Sequence, residues 1–305
     1  MRFWIVLTAL ISVPLTGLCG AWILTTPRPE FGTSNPFPIA DASAERGRDV
    51  FNAADCASCH ATPGQPDRLR LGGGLALASP FGTFRPPNIS PDPVDGIGGW
   101  SVSDLANALV AGVSPDGRHY YPAFPYTSYT GMTAVDINDL FAYLETLPAV
   151  AGRAPPHHPS VLFAIRRSVG FWKQLFFKRA LTQPGPSAAS VGIERGRYIV
   201  ETLSHCAECH STRNILGAII SSARFAGGFD PQGTGFVPNI TPEGIGDWSE
   251  NDIVKMLETG ETPNHGRVGS SMADVVKNAS MLSDEDRKAI ADYIKSLPAR
   301  PTPEP

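Results

Sequence analysis

Cysteine is scarce in this sequence, and no excess of positive charge is present. The chain has 5 cysteines in 305 residues, far below the ~8–10% that is typical of a disulfide scaffold. Lysine and arginine number 25 against 29 aspartates and glutamates, which gives a net charge of −4. This balance argues against a nucleic-acid-binding protein, which normally has a strong basic excess. At ~150 residues per domain, the length indicates about two domains.

Glycine and proline, by contrast, are abundant. The chain has 30 glycines and 29 prolines, and 42% of its residues are hydrophobic. That hydrophobic content excludes a disordered chain and permits a core. The composition therefore predicts a globular protein rich in loops, in which something other than secondary structure fills part of the interior.

A long uncharged run occurs near the amino terminus, over residues 3–24. As a helix it would span about 33 Å, enough to cross the hydrocarbon core of a bilayer. The alternative is a cleaved signal peptide, whose apolar core is usually ~7–15 residues and ends at a small-residue site. Thr25-Thr26-Pro27 offers no such site, so we predict an uncleaved membrane anchor over residues 1–26, followed by a linker over 27–41. Cys19 within the run is interpreted as an inert buried thiol.

The remainder of the sequence is a duplication. The string Cys-x-x-Cys-His occurs at 56–60 and again at 206–210, 150 positions later. Glu-Arg-Gly-Arg precedes each copy, and Pro-Asn-Ile-(Ser/Thr)-Pro and Trp-Ser follow each in the same order. Four ordered matches indicate two copies of one domain, since a solenoid repeat is only ~20–50 residues long. We place the copies at 42–150 and 188–300, with an interdomain segment at 151–187 and a tail at 301–305.

Helical signals recur in both copies. Ser-x-x-Asp at 101–104 and 249–252 predicts helix starts, and Gly112 and Gly260 lie where those helices would end. The last helix of each copy is predicted to begin after Thr133 or Ser283, with apolar residues at i, i+3, i+4 and i+7. The predicted fold class is therefore all-α, with long loops.

The repeated Cys-x-x-Cys-His string is the attachment signature of c-type haem. The two thiols form thioethers to the haem, and the adjacent histidine ligates the iron. The predicted attachment residues are Cys56, Cys59, Cys206 and Cys209, and the predicted proximal iron ligands are His60 and His210.

Two other sites use Cys-x-x-Cys pairs. A structural zinc site would require the two pairs to converge, and it does not explain the histidine after each pair. A redox dithiol usually has a single pair on a thioredoxin-like scaffold. We therefore predict two covalently bound haem c groups as the cofactors.

Methionine is the usual sixth ligand of cytochrome c iron, and the candidates differ between the copies. Met132 is the methionine of copy one, just before its last helix. In copy two, Met272 and Met281 lie near the last helix, while Met256 falls on an apolar helix face and is interpreted as core.

Aligning the closing prolines of the copies places Met132 opposite Leu282, and Met272 near Phe124. The sixth ligand of the iron in copy one is then Met132 or a histidine such as His119, or the sixth position has no protein ligand. We favour Met132 and Met272. The other histidines show no arrangement for acid–base catalysis, and we expect His119 near the haem rim.

Residues 161–181 between the copies are aromatic and basic. One interpretation is an interdomain clasp that packs against both haem domains. The other is a patch that lies on the membrane surface or binds a partner subunit.

The sequence resembles the multihaem cytochrome c subunits of membrane-bound bacterial dehydrogenases for alcohol, gluconate or sorbitol. The resemblance covers residues 42–298 and rests on the strings Tyr-Pro-Ala-Phe-Pro-Tyr at 121–126, the two Pro-Asn-Ile-(Ser/Thr)-Pro strings, Arg-Gly-Arg-Tyr at 195–198 and Thr-Arg-Asn at 212–214. Those subunits usually have three attachment sites, whereas this chain has two. Many of them have methionine where this chain has Phe124.

The resemblance implies two tandem class I cytochrome c domains, with His60 and His210 as proximal ligands and Met132 and Met272 as distal ligands. It also implies an electron-transfer subunit that is not itself an enzyme. Such a subunit would lie on the periplasmic side of the bacterial inner membrane and pass electrons from a dehydrogenase to quinone, an oxidase or another cytochrome. The alternative is a haem enzyme similar to a dihaem peroxidase or a thiosulfate dehydrogenase.

Overall fold

A computed structural model describes residues 19–179, 192–233 and 235–304. Residues 1–18 of the predicted anchor, residues 180–187 of the predicted interdomain segment and residues 188–191 of copy two lie outside this description. Within the described ranges, no helix combines the length and the apolar character needed to cross a bilayer.

Copy one consists of short helices joined by loops. Its helices are α1 Ala44–Ala53, α2 Cys56–His60, α3 Val102–Ala106, which continues as the π-helical turn Asn107–Ala111, α4 Tyr126–Tyr129 and α5 Ala134–Leu144. The predicted linker before α1 is docked rather than free, because Phe31 and Phe37 are buried and the Asn107 amide oxygen accepts from the Phe31 backbone N–H at 2.9 Å.

Between the copies lies helix α6, Val169–Phe176, preceded by the 3₁₀ turns Val161–Phe163 and Arg166–Ser168. The buried face of α6 contacts both copies. The Trp172 indole donates to the Leu216 carbonyl oxygen at 2.9 Å, and the Lys173 ammonium donates to the Ala111 and Gly112 carbonyl oxygens at 2.7 Å each. These contacts confirm the predicted interdomain clasp.

Copy two repeats the plan of copy one. Its helices are α7 Ile193–Tyr198, which continues as the π-helical turn Ile199–Leu203, α8 Pro242–Ile245, α9 Glu250–Thr259, α10 Ser271–Ala279 and α11 Asp284–Ser296; the 3₁₀ turns are Cys206–Glu208 and Ser221–Ala223.

The predicted helix starts are confirmed. Ser101 and Ser249 each accept from the backbone N–H three residues later, and the aspartate there accepts from the serine N–H, which makes a capping box at both places. Gly112 and Gly260 end these helical segments in the left-handed conformation, with φ of 59° and 77°. Such backbone favours glycine because glycine has no Cβ.

The all-α expectation is incomplete, because the described residues include two small antiparallel sheets. Their strands are β1 Leu77–Ser79, β2 Gly82–Phe84 and β3 His158–Pro159 in one sheet, and β4 Gly228–Phe229 and β5 Phe236–Val237 in the other. In register, Ala78 pairs with Thr83, Thr83 with His158, and Phe229 with Phe236. Runs of two or three residues are too short to give an alternating pattern that predicts a strand.

The first and last helices of each copy cross at a glycine. A Cβ on Gly47 of α1 would lie 1.9 Å from the Asp139 carbonyl oxygen of α5, and a Cβ on Gly196 of α7 would lie 1.8 Å from that of Ala289 on α11. No side chain fits in either space. The repeated Glu-Arg-Gly-Arg string therefore supplies the residue that permits backbone-to-backbone contact.

A single cluster of buried apolar side chains extends through both copies. Polar contacts also join them. Ser204 donates to the Ala53 carbonyl oxygen at 2.8 Å, Thr127 donates to Glu208 at 2.8 Å, and Tyr198 bonds to Asp136. The two copies consequently form one packed unit.

Candidate haem-binding sites

The attachment motif of copy one forms the short helix α2, directly after a sharp turn of the chain. Asp55 has a left-handed φ of 55°, which redirects the backbone after α1. Cys56 and Cys59 are partly buried free thiols on α2, and His60 is its last residue. The motif therefore presents two thiols and an imidazole from a single turn.

Copy two places its motif in the same way. His205 has a left-handed φ of 41°, and the 3₁₀ turn that follows carries Cys206. Cys206 and Cys209 are free thiols, with Cys206 partly buried and Cys209 exposed.

Each proximal histidine is oriented by a proline carbonyl. His60 Nδ1 lies 2.8 Å from the Pro87 oxygen, and His210 Nδ1 lies 2.8 Å from the Pro238 oxygen. Because a carbonyl oxygen only accepts, the ring proton is assigned to Nδ1, and the Nε2 lone pair is left free. A second partner of this kind is what orients metal-ligating histidines.

The repeated Pro-Asn-Ile strings hold these carbonyls in place. The Asn88 amide donates to the Val150 oxygen at 2.6 Å, and the Asn239 amide donates to the Arg300 oxygen at 2.8 Å. Each asparagine thus connects, by a hydrogen bond, the loop that carries the proline carbonyl to the segment that follows the last helix of its copy. The string was visible in the sequence as a repeat marker, but its role in orienting the histidine was not predicted.

Burial keeps the site residues neutral. Protein atoms closely surround the partly exposed His60 ring, and this desolvation lowers its pKa to about 4; the pKa of His210 is lowered for the same reason. Desolvation by neighbouring protein atoms raises the pKa of the Cys59 thiol to about 12 and, although the Cys209 residue as a whole is exposed, that of its thiol to about 11. A catalytic redox dithiol requires a lowered thiol pKa, so the dithiol alternative has no support.

This donor set fits a covalently bound haem. In both copies, two neutral thiols three positions apart would form the thioethers, and a neutral imidazole with a free Nε2 would ligate the iron. The zinc alternative requires convergent ligands, and no cluster of three or more histidine, cysteine or acidic side chains suited to a metal ion occurs in the part of the chain that the structure describes.

The two predicted methionine ligands lie at different places in the repeat. Isolated β-bridges pair Val113 with His119 in copy one and Glu261 with Arg267 in copy two, 148 positions apart. Counted from these bridges, Met272 on α10 corresponds to Phe124.

Met132 instead corresponds to Leu282, the residue before the N-cap of the last helix. Both side chains are buried, at 3% and 6% exposure. Met132 lies in the shared core, Met272 packs against it, and the assignment of both as iron ligands stays a prediction. Met256 also packs against the core, as predicted.

His119 lies in a loop, as expected, and its place near the haem rim stays a prediction. His119 is buried, and its Nε2 bonds to the Thr25 carbonyl oxygen at 2.9 Å. The linker before copy one covers this histidine, which the sequence does not indicate because the two residues are far apart along the chain.

The attachment motif of copy one contacts α10 of copy two through a polar cluster that the sequence did not predict. Ser58 of copy one donates to the Asp55 carboxylate at 2.6 Å. Asn278 of copy two is buried and donates to the same carboxylate, and it also bonds to Ser58 at 3.0 Å. The Arg68 guanidinium donates to the Asn278 amide oxygen at 3.2 Å. Burial raises the pKa of Asp55.

Glu208, inside the second motif, is held by Arg213. The guanidinium donates to the carboxylate at 2.6 Å. Burial alone would raise the pKa of Glu208, but Arg213, together with the hydrogen bond from Thr127, lowers it below its usual range. The Thr-Arg-Asn string after the second motif therefore neutralises a charge next to the haem attachment site.

Comparison with known protein families agrees with two haem-binding domains. The sequence model of the family described as cytochrome c matches residues 44–148 and 193–298. The chain belongs to the cytochrome c family. With an attachment motif in each matched region, it is a dihaem cytochrome c that carries two covalent haem c groups.

Three relatives illustrate the range of this family. A dihaem cytochrome c-type protein of Cereibacter sphaeroides is 47% identical over 292 residues, which cover 95% of this chain and 97% of the relative. The fructose dehydrogenase cytochrome subunit of Gluconobacter japonicus is 37% identical over 85% of this chain and 53% of its own length. The alcohol dehydrogenase (quinone) cytochrome c subunit of Gluconobacter oxydans is 34% identical over 89% of this chain and 58% of its own length.

The predicted resemblance to dehydrogenase cytochrome subunits is thereby confirmed. The chain spans only about half the length of the fructose and alcohol dehydrogenase subunits, whereas it spans nearly all of the dihaem protein.

Proposed function

We propose that this dihaem cytochrome c is the electron-transfer subunit of a dehydrogenase in the bacterial inner membrane. Its haem domains would face the periplasm, accept electrons from the catalytic subunit, and pass them to quinone, an oxidase or another cytochrome. The relatives named as cytochrome subunits of fructose and alcohol dehydrogenases support a dehydrogenase partner. The uncharged run at residues 3–24 supports the membrane location.

The observation that supports the proposal most directly is that each attachment motif contacts the opposite copy, since Glu208 of the second motif accepts from Thr127 of copy one. Asn278 of copy two bonds to Asp55 and Ser58, which flank Cys56 of copy one. The Tyr129 ring of copy one also lies 5.5 Å from the His205 ring, next to Cys206. Attachment motifs that are each packed against the opposite copy favour a relay between two groups over two independent sites.

The protein contributes orientation and environment to this relay. Bound haem supplies one-electron chemistry at its iron. The Pro87 and Pro238 carbonyls orient the two imidazoles, and Asp55, Glu208 and Arg213 fix the charges beside the attachment sites. Because these surroundings differ between the copies, the two sites would have different potentials.

The alternative of a peroxidase-like enzyme draws on one observation. Phe124 corresponds to Met272 in the repeat, and phenylalanine has no donor atom for iron. If Met132 does not ligate, the iron of copy one has an open position, which peroxide reduction requires. A thiosulfate dehydrogenase-like site would use a cysteine ligand, and the only cysteine outside the two motifs is Cys19.

Purification of the full chain from its native membrane, with identification of the co-purifying subunits, tests the proposal. The relay predicts a stoichiometric dehydrogenase subunit whose substrate reduces both haems. Recovery of the chain alone, with turnover of hydrogen peroxide, would establish the peroxidase alternative and exclude the relay.

A further inference from the structure

The outer face of α6 carries exposed apolar side chains that no part of the described chain covers. Phe171, Gln174 and Leu175 follow i, i+3 and i+4 on this face, and Leu175 is 67% exposed. They adjoin other large exposed apolar residues. We call this set the apolar patch; its members are Trp22, Ile23, Leu24, Ile165, Phe171 and Leu175.

The carboxyl end of the uncharged run is docked on α6. Arg167 donates to the Trp22 carbonyl oxygen at 2.7 Å, and its guanidinium lies 3.6 Å from the centre of the Trp22 ring. Gln174 donates to the Leu24 carbonyl oxygen at 3.3 Å. A Cβ on Gly170 would lie 2.6 Å from the Thr25 Cα, so the two backbones approach closely. The predicted anchor therefore reaches the haem domains at this helix.

The charge around the patch has one sign. Residues 161–179 contain five basic residues and no acidic residue, in a chain whose net charge is −4. Lys173 is buried in the clasp and Arg179 pairs with Glu30, whereas Arg166, Arg167 and Lys178 have no acidic partner among the ion pairs of the described residues. An anionic surface is complementary to this distribution.

We infer that the apolar patch is a lipid-contact surface that lies on an anionic bilayer, in addition to the anchor itself. Continuity with the uncharged run favours lipid over a protein partner, because Trp22, Ile23 and Leu24 are the last residues of that run. Tryptophan is enriched at membrane–water interfaces. An amphipathic helix with large apolar residues and flanking basic side chains binds such surfaces in the plane of the membrane.

Contact of the outer face of α6 with lipid would also affect the haem domains, because the inner face of this helix binds both copies. Trp172 and Lys173 bind copy two and copy one, respectively. A helix that lies on lipid while its other face clasps both copies would set the orientation of the two haem sites relative to the bilayer. This inference rests on the proposed membrane location and is independent of the proposed direction of electron flow.

Cysteine accessibility in vesicles tests the inference. In the full-length Cys19→Ser chain, Leu175→Cys is compared with Val94→Cys, whose side chain lies outside the patch and is 71% exposed. The haem thioethers block the other thiols, and haem absorbance verifies the fold. Each variant is inserted into phosphatidylglycerol-containing vesicles and, separately, into vesicles of phosphatidylcholine alone. A membrane-impermeant maleimide then reports the labelling rate.

The inference predicts that anionic vesicles slow labelling at position 175 several-fold relative to position 94, and that neutral vesicles slow it less. Equal rates at the two positions in anionic vesicles would overturn it, even if the anchor inserts. Protection that appears only after the dehydrogenase subunit is added would identify a protein-binding surface instead. Failure of the full chain to bind any vesicle would contradict both the patch and the proposed anchor, while leaving the haem relay to its own test.

Discussion

The imidazoles of His60 and His210 show how single residues define the two sites. Each ring donates from Nδ1 to a proline carbonyl oxygen at 2.8 Å, which leaves Nε2 for iron. The Cys-x-x-Cys-His spacing predicts these ligands without any structural information, because attachment and ligation involve residues adjacent in sequence. The proline carbonyls could not be predicted in the same way, since they lie 27 and 28 positions further along the chain.

The methionine assignments can be tested one residue at a time. Met272→Ala is expected to remove the methionine-to-iron charge-transfer band of one ferric haem, and Met132→Ala that of the other, because each substitution removes a thioether ligand. Absorbance spectra of the oxidised protein measure both. Met256→Ala, a residue that packs against the core, is the control and should leave both bands in place. If Met132→Ala also leaves both bands unchanged, Met132 is not a ligand.

The buried carboxylate of Asp55 predicts a pH dependence of stability. Burial raises its pKa above the ordinary value of 3.8, so the folded chain holds a proton that the unfolded chain has already lost. The free energy of unfolding therefore falls as pH rises from about 3.8 through the folded-state pKa.

Asp55→Asn should lack this fall, because the amide oxygen still accepts from Ser58 and Asn278 but carries no charge. Urea unfolding followed by haem absorbance, at several pH values, compares the two proteins. Parallel pH profiles for the native chain and the variant would show that Asp55 titrates normally.

Among the elements, the helix starts were the most predictable feature. A Ser-x-x-Asp capping box is local, so its residues determine it without tertiary contacts, and all four predicted N-caps accept the expected hydrogen bond. The short sheets, the docked linker and the position of His119 depend on contacts between distant segments. Those contacts leave no periodic pattern in the sequence.

The close helix crossings predict that a methyl group at either glycine destabilises the protein. Gly47→Ala and Gly196→Ala should each lower the free energy of unfolding by about 1–3 kcal/mol, because the new methyl would lie too close to a backbone carbonyl and force the helices apart. Thermal or urea unfolding measures the loss. Gly269→Ala is the matched control, since a Cβ there meets no atom within 4 Å. Equal stability of all three variants would contradict the close crossing.

At the scale of the whole molecule, the duplication has become one structure with a shared core. The sequence repeats predicted two copies, but not that Asn278 of one copy would bind the attachment motif of the other. The corresponding contact of the second motif uses different residue types, because there Glu208 accepts from Thr127 of copy one. The arrangement of the copies depends on such unrepeated residues.

Asn278→Ala tests that arrangement. The substitution leaves the buried Asp55 carboxylate without one of its donors and removes a bond to Ser58. We expect a loss of about 1–3 kcal/mol in the free energy of unfolding, measured by urea titration. Lys277→Ala on the same helix, whose only ion pair is an exposed one with Asp274 among the described residues, should have little effect. A similar loss in both variants would indicate a general effect on α10 rather than on the junction.

Anaerobic stopped-flow absorbance of the full chain, purified with its native partner subunit, is the decisive measurement for electron transfer through both haems. On addition of the substrate of that subunit, we expect both haems to be reduced. We expect His210→Ala to alter the reduction of one haem while the other is still reduced. Reduction of neither haem by the substrate, together with rapid oxidation of the reduced chain by hydrogen peroxide, would contradict an electron relay.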